Sequence, residues 1–255
     1  PRFAGDKLPK TLLGQCLSIS EKIDSLVGIF SIGKAPTGDK DPFALRRSAI
    51  GLLRIIIECK IDIDLKNLLS IAASNFSDNN QSLNCIDDVY AFLMERLRYY
   101  YRDEGFSADV FESVLSINTF KPLDFHHRMI AVVEFRKAIE AKSLSAANKR
   151  ISNLLKKSED IDSVKIENSL LIEEAEIKLA NTLENYKKII APMIENRNYK
   201  SALNKLAGLR KVVDDFFDNV MVLCDEPKLK KNRLALLTNL NSLFLEIADI
   251  SKLQD

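Results

Sequence analysis

The stretch "DPFALRRSAIGLLRIIIE", Asp41 to Glu58, decides how the chain is read. Its second half, "IGLLRIIIE", is apolar on nearly every side of a helix, which predicts a central, buried helix rather than a surface one. Its first half is polar and turn-forming. Asp41 suits an N-cap and Pro42 the first helical position, so the helix is expected from Pro42 to about Lys60. Upstream, "KAPTGDK" concentrates glycine, proline and charge. A phosphate cradle needs glycines that bring successive backbone N–H groups onto one anion. Gly33 and Gly38 are too far apart for that, and no Gly-Lys-Ser/Thr follows, so the segment reads as the turn before a helix. Beyond the turn, Arg47, Gly51, Arg54 and Glu58 share a stripe, Arg46 lies just off it, and Arg54 with Glu58 makes an i, i+4 pair.

Outward from this helix the same periodicity continues. A first helix is expected over Lys10–Phe30, with Leu13, Leu17, Ile19, Ile23, Leu26 and Phe30 on its apolar side. A third begins near Asp64, and "SNFSDNNQS" (Ser74–Ser82) reads as a polar loop. "CIDDVYAFLMERLRYYYRDEG" is a helix closed by Gly105, followed by a short one over Ala108–Leu115. Pro122 opens another, and a further helix continues after Ser143. "SEDIDSVKIENS" is an acidic loop. Three long helices are expected to close the chain, at about Leu170–Glu195, Tyr199–Asp218 and Lys228–Ile250. No strand alternation and no repeat stands out, so the expected class is all-α, with a weak boundary between 118 and 145.

The composition agrees with a helical globular chain. Of 255 residues, 46% are hydrophobic and 29% charged, with no tryptophan, and this length can bury a substantial core. No apolar run reaches the ~20 residues of a membrane helix, and no signal peptide is visible. Cys16, Cys59, Cys85 and Cys224 are widely spaced without a CxxC pair, which predicts buried free thiols in a reducing cytoplasm. The opening "PRFAGDKLP" lacks Met and reads as the continuation of a longer chain.

The net charge of +1 carries no information about partners, but its distribution does. Ala141–Lys157 holds five basic residues and no acid, and Arg197–Lys211 repeats that count. "KLKKNR" adds Lys228, Lys230, Lys231 and Arg233, while Ser158–Glu184 holds eight acids against two lysines. One charge block is ordinarily a solvated face. Three basic blocks with the acids segregated elsewhere point to an anionic partner, with nucleic acid the natural candidate. Lys149, Asn153 and Lys156 share an outward stripe, opposite Ala147, Ile151, Leu154 and Leu155. Tyr199 and Asn153 are candidates to stack on or hydrogen-bond unpaired bases, and one of Phe216 and Phe217 is expected in the core.

Catalytic patterns are sparse. His126 and His127 are adjacent, so on a helix they point about 100° apart and cannot form an i, i+4 metal pair. Asp87 and Asp88 suit a helix first turn, and Asp214, Asp215 and Asp218 sit near a helix end where solvated carboxylates are common. No nucleophile elbow or HExxH occurs, and no catalytic or metal-binding residue is assigned.

Several stretches together resemble one family: "PRFAGDKLPKTLLG", "EKIDSLVGIFSIGKAPTGDKDPFALRRSAIGLLRIIIE", "ANKRISNLLKK", "VDDFFDNVMVL" and "NRLALLTNLNSLFLEIADISKLQ". They look like the C-terminal part of bacterial glycyl-tRNA synthetase β subunits, the form built from separate α and β chains. The similarity covers essentially the whole chain. It implies a helical HD-like remnant with connecting helices over 1–140, then a DALR-type anticodon-binding bundle over 141–255. It further implies tRNA(Gly), the α subunit in an α2β2 complex and the N-terminal part of the same β chain as partners. ATP and Mg belong to the α subunit, which charges the tRNA, so no cofactor is expected in this chain. Where the family usually reads "ADK", this chain has Ser20, Glu21 and Lys22; with Asp24 these form no ligand set, so no HD metal hydrolase is expected.

The tRNA contacts that follow are Lys149, Arg150, Lys156, Lys157, Arg210, Lys211, Lys230 and Arg233, mainly to phosphates, with Asn153 and Asn219 as base readers. Arg46, Arg47 and Arg54 are candidates for subunit docking. The alternatives are a docking scaffold without tRNA contact and, least favoured, a residual HD phosphohydrolase.

Overall fold

A computed structural model describes residues 6–76, 85–157 and 165–254. The loop expected over Ser74–Ser82 and the first half of the acidic segment lie largely outside them. Among the described residues the protein is all-α: eleven α-helices, two short 3-10 turns, and an isolated bridge between Thr37 and Lys40 in place of any strand. Two compact units are formed, Pro1–Ala108 with Thr119–His126, and Asp109–Asn118 with His127–Asp255.

The first unit contains α1 (Leu12–Ser31), α2 (Leu45–Glu58), α3 (Leu65–Ser74) and α4 (Ile86–Asp103). Helix α2 is central, as its composition requires. Leu45, Ala49, Leu52, Leu53, Ile55, Ile56 and Ile57 are all buried, and α1 and α4 pack against it. Each large aliphatic side chain so buried stabilises the unit by up to about 1.5–3 kcal/mol.

The start of α2 differs from the expected one. Asp41 to Ala44 form a turn, with the Ala44 N–H donating to the Asp41 carbonyl at 3.1 Å, and Ala44 is left-handed at φ 53°. The helix therefore begins at Leu45, not Pro42. Asp41 still caps it from a distance, its carboxylate accepting from the Leu45 and Arg46 N–H groups at 2.8 and 3.0 Å. Arg46 folds back and donates to the Gly38 carbonyl, which closes the turn.

Helix α1 departs from expectation at its front. Ile19, Ile23, Leu26 and Val27 are buried, but Leu12, Leu13 and Leu17 are 73%, 71% and 63% exposed. Periodicity assigns Leu13 and Leu17 to the apolar side; the packing within the unit begins only at Ile19. Other expectations hold. Asp64 caps α3 by accepting from the Asn67 N–H at 2.9 Å. After α4, Gly105 takes φ 85° and the Phe106 N–H returns to the Tyr101 carbonyl. Tyr101 is buried among Phe106, Phe125 and His126, and its hydroxyl meets His126 Nδ1 at 3.0 Å. Burial pushes its pKa well above the ordinary tyrosine value.

Helix α5 (Ala108–Leu115) belongs to the second unit, and α6 (Pro122–Phe135) carries the chain from one unit into the other. The second unit continues with α7 (Ile139–Lys156), α8 (Glu174–Glu195), α9 (Tyr199–Ala207), α10 (Arg210–Asn219) and α11 (Pro227–Leu245). The expected helix Tyr199–Asp218 is in fact two, broken at Gly208 and Leu209. Leu209 is fully buried, and a Cβ on Gly208 would lie 2.6 Å from the Tyr186 hydroxyl, so the bend lets α9 and α10 both pack on α8. Helix α8 starts at Glu174 rather than Leu170, because the Glu176 carboxylate captures the N–H groups of Ile172 and Glu173, both at 2.9 Å. Helix α11 opens with Pro227 and ends at Leu245. Arg128 caps its end, donating to the Glu246 and Ile247 carbonyls at 2.6 and 2.9 Å.

All four cysteines are free, but only Cys85 is buried; Cys59 and Cys224 are half-buried and Cys16 is exposed, against the expectation for all four. Burial pushes the Cys59 and Cys85 thiols up, away from the reactive thiolate. No helix among the described residues is long and apolar enough to cross a membrane.

Candidate nucleic-acid interface

Helix α7 is two-sided. Ala141, Leu144, Asn148 and Ile151 are buried at helical spacing, while Lys142, Lys149, Arg150, Asn153, Lys156 and Lys157 are exposed. The only acid on the helix, Glu140, lies in its first turn. The cations of its last two turns therefore make an uninterrupted positive surface. Asn148 sits beneath it, 1% exposed; its Nδ2 donates to the Leu144 carbonyl at 2.9 Å, and among the described residues its Oδ1 has no partner.

Helix α10 packs beside α7. Ser143 Oγ donates to Asp214 at 3.0 Å, and about two turns further along α7 and one turn further along α10 the Arg150 guanidinium lies over the Phe217 ring, 4.3 Å from its centroid. Phe216 points into the core and is fully buried, and Phe217 is half-buried under Arg150. The aromatic pair thus divides as expected.

The other named candidates have different surroundings. Lys211 and Lys230 are exposed. Arg210 is half-exposed and pairs with Asp214 at 3.5 Å. Asn219 ends α10, its Nδ2 donating to the Asp215 carbonyl at 2.8 Å and to the Asp215 carboxylate at 3.1 Å. Asp215 also pairs with Lys178, so it is part of the surface charge balance.

Two candidates are in the interior. Arg233 is 6% exposed; its Nε donates to Glu176, itself fully buried, at 2.6 Å, and Nη1 donates to the Met221 carbonyl at 2.9 Å. It cannot reach a phosphate without breaking that pair. Tyr199, expected as a stacking residue, is 3% exposed; Arg128 covers its ring at 4.2 Å and donates to its hydroxyl at 2.9 Å. Sequence reasoning missed both clamps, because Glu176 and Arg128 lie far along the chain from their partners. Asn232 escaped notice too: it is buried next to Arg233 and exchanges two hydrogen bonds with the Glu167 backbone, at 2.8 and 3.1 Å.

In the first unit, Arg54 makes a two-pronged pair with Glu58 at 2.6 and 3.3 Å and donates to the Asp6 carbonyl. Arg47 is exposed and Arg46 is engaged by the Gly38 turn. Glu21 and Asp24 are exposed, and Glu21 pairs with Lys22 at 3.0 Å. No three His, Cys, Asp or Glu among the described residues converge into a metal-sized group.

Residues 144–252, which contain all ten candidate contacts, match the family described as DALR anticodon binding domain. Residues 1–116 match the family described as Glycyl-tRNA synthetase beta subunit. The glycine–tRNA ligase beta subunit of Pseudoalteromonas translucida is 48% identical over 254 residues, covering 100% of this chain and 37% of its own length. The chain belongs to the glycyl-tRNA synthetase beta subunit family. Two further glycine–tRNA ligase beta subunits, from Glaesserella parasuis and Vibrio parahaemolyticus, are 47% and 48% identical, again over all of this chain and 37% of their own lengths. The beta-subunit family therefore accounts for both units, and its DALR part is the one that carries the acid-free face of α7.

Proposed function

We propose that this chain is the tRNA-recognising region of a glycine–tRNA ligase β subunit, and that α7 contacts the anticodon stem-loop of tRNA(Gly). The observation that carries this reading is the exposed, acid-free basic surface of α7 inside the residues that match an anticodon-binding domain. Phosphates attract such a surface whatever the sequence, and unpaired bases supply the specificity. In this reading glycine, ATP and Mg belong to the α subunit of an α2β2 enzyme in the cytoplasm, and this chain contributes recognition rather than chemistry.

The test is charge reversal at Lys156 and Lys157. The wild-type chain should bind an anticodon-arm hairpin with a steep salt dependence. Glu at both positions should weaken binding more than tenfold and flatten the log–log salt slope by about 1.5, from two lost phosphate contacts. Unchanged affinity and slope would remove this face from the interface.

Docking is a second role, in the first unit, favoured by one observation. Leu12, Leu13 and Leu17 form an exposed apolar stripe on α1. The chain spans 37% of its relatives' length, and the remainder of a full-length β chain is the occupant that fits an apolar face of this kind. Arg47, exposed on the start of α2, is then a candidate for docking rather than for RNA.

A further inference from the structure

Among the arginines assigned to phosphates, Arg150 has an unusual setting. Arg210 is held by Asp214 and Arg233 by Glu176. Arg150 is exposed, and among the described residues its one partner is the face of Phe217, 4.3 Å away. Asp214, one turn before Phe217, is already engaged by Ser143 and Arg210. The ring therefore orients the guanidinium without neutralising it, and leaves the outer face of that flat cation toward solvent. Asn153 stands one turn further along the same exposed side, with its amide carrying no hydrogen bond among the described residues.

We infer that Arg150, seated on Phe217, is a stacking platform for one unpaired nucleobase, with the Asn153 amide reading that base's edge. A guanidinium plane stacks on the π-face of a base as an aromatic ring does, and an amide presents both a donor and an acceptor. Lys149, Lys156 and Lys157 flank the platform and suit the phosphates on either side of an extruded base. A plain phosphate contact needs none of this: it needs a cation on a flexible stem, and a lysine serves. The inference rests on the tRNA-binding reading and narrows Arg150 from backbone neutralisation to base recognition.

The experiment compares Arg150→Lys, Phe217→Leu and the double variant in the 255-residue chain. The probes are an RNA hairpin with the tRNA(Gly) anticodon loop, carrying a fluorescent purine analogue in the loop, and the same stem as an uninterrupted duplex. Arg150→Lys keeps the charge and loses the plane. It should weaken hairpin binding about tenfold, abolish the fluorescence change on binding, and leave both the salt slope and duplex binding unaltered. Phe217→Leu should do the same, and the double variant should be no worse than either single one, because ring and guanidinium act as one unit. The inference is overturned if Arg150→Lys binds like wild type while Arg150→Gln flattens the salt slope, which marks a phosphate contact. A wild-type chain that does not prefer hairpin to duplex would instead overturn the tRNA reading itself, before any variant is compared.

Discussion

Replacing Arg233 by methionine should destabilise the second unit severely while the surface lysines around it remain in place. The Glu176 carboxylate is fully buried and takes three hydrogen bonds: two from the N–H groups of Ile172 and Glu173 at 2.9 Å, and one from Arg233 at 2.6 Å. Methionine fills much of the volume but leaves that carboxylate without a counter-charge, and strips the Met221 carbonyl of its donor. Breaking a buried pair from one side costs about 3–5 kcal/mol. With an m-value of about 2 kcal/mol/M, the urea midpoint of the affected transition should fall by about 2 M. Adding Glu176→Gln to Arg233→Met should recover part of the loss. The glutamine oxygen still accepts from Ile172 and Glu173, and no charge is left buried. Urea titrations followed by far-ultraviolet circular dichroism measure all three variants. The reasoning is refuted if Arg233→Met shifts stability by less than about 0.5 kcal/mol, the range of an ordinary surface substitution. Selective loss of hairpin binding in that variant, with stability intact, would return Arg233 to the phosphate contacts.

Alkaline titration tests the first unit. Tyr90, whose hydroxyl donates to the Thr119 carbonyl at 3.2 Å, is pushed up to about 12 by burial and then by Asp64; burial drives Tyr101 higher still. A raised folded pKa means their stabilisation is complete below about pH 10 and is lost as pH climbs through the folded value. Tyrosinate absorbance should therefore show a late step that coincides with unfolding and shrinks in Tyr90→Phe; ionisation of all six tyrosines near pH 10 with the helices intact would contradict it. Cys16, exposed between Leu13 and Leu17, reports on the α1 stripe. Maleimide should label it rapidly in the 255-residue chain and slowly in a full-length β chain, whereas equal rates would show that the stripe stays uncovered.

Much of the fold is local and was legible without coordinates. The apolar circumference of α2, the start of α3 near Asp64, the Gly105 stop and the Pro122 start each depend on residues within a turn or two of the feature they set. The failures share a cause. Leu13 and Leu17 have the right spacing to be buried, yet spacing does not say how far a neighbouring helix extends. The break at Gly208 and Leu209 lies inside an unbroken helical pattern and follows from packing against Tyr186, on another helix. The late start of α8 is set by a side chain reaching back from its first turn, a capping box with glutamate where serine or threonine is usual.

The candidate interface divides the same way. The amino-acid sequence by itself determined the helical class, the family, and the segregation of cations into blocks free of acids. These are properties of composition and of short-range order along the chain. Only the tertiary structure decided which cations meet solvent. Lys230 and Arg233 are three residues apart on α11, yet one is exposed and the other is locked to Glu176 in the interior. Tyr199 and Phe217 exchange roles likewise: the tyrosine is buried under Arg128, and the phenylalanine supports an exposed arginine. Charge and aromaticity belong to the residue, whereas solvation belongs to the packing of helices distant in sequence, and recognition of an anion depends on both.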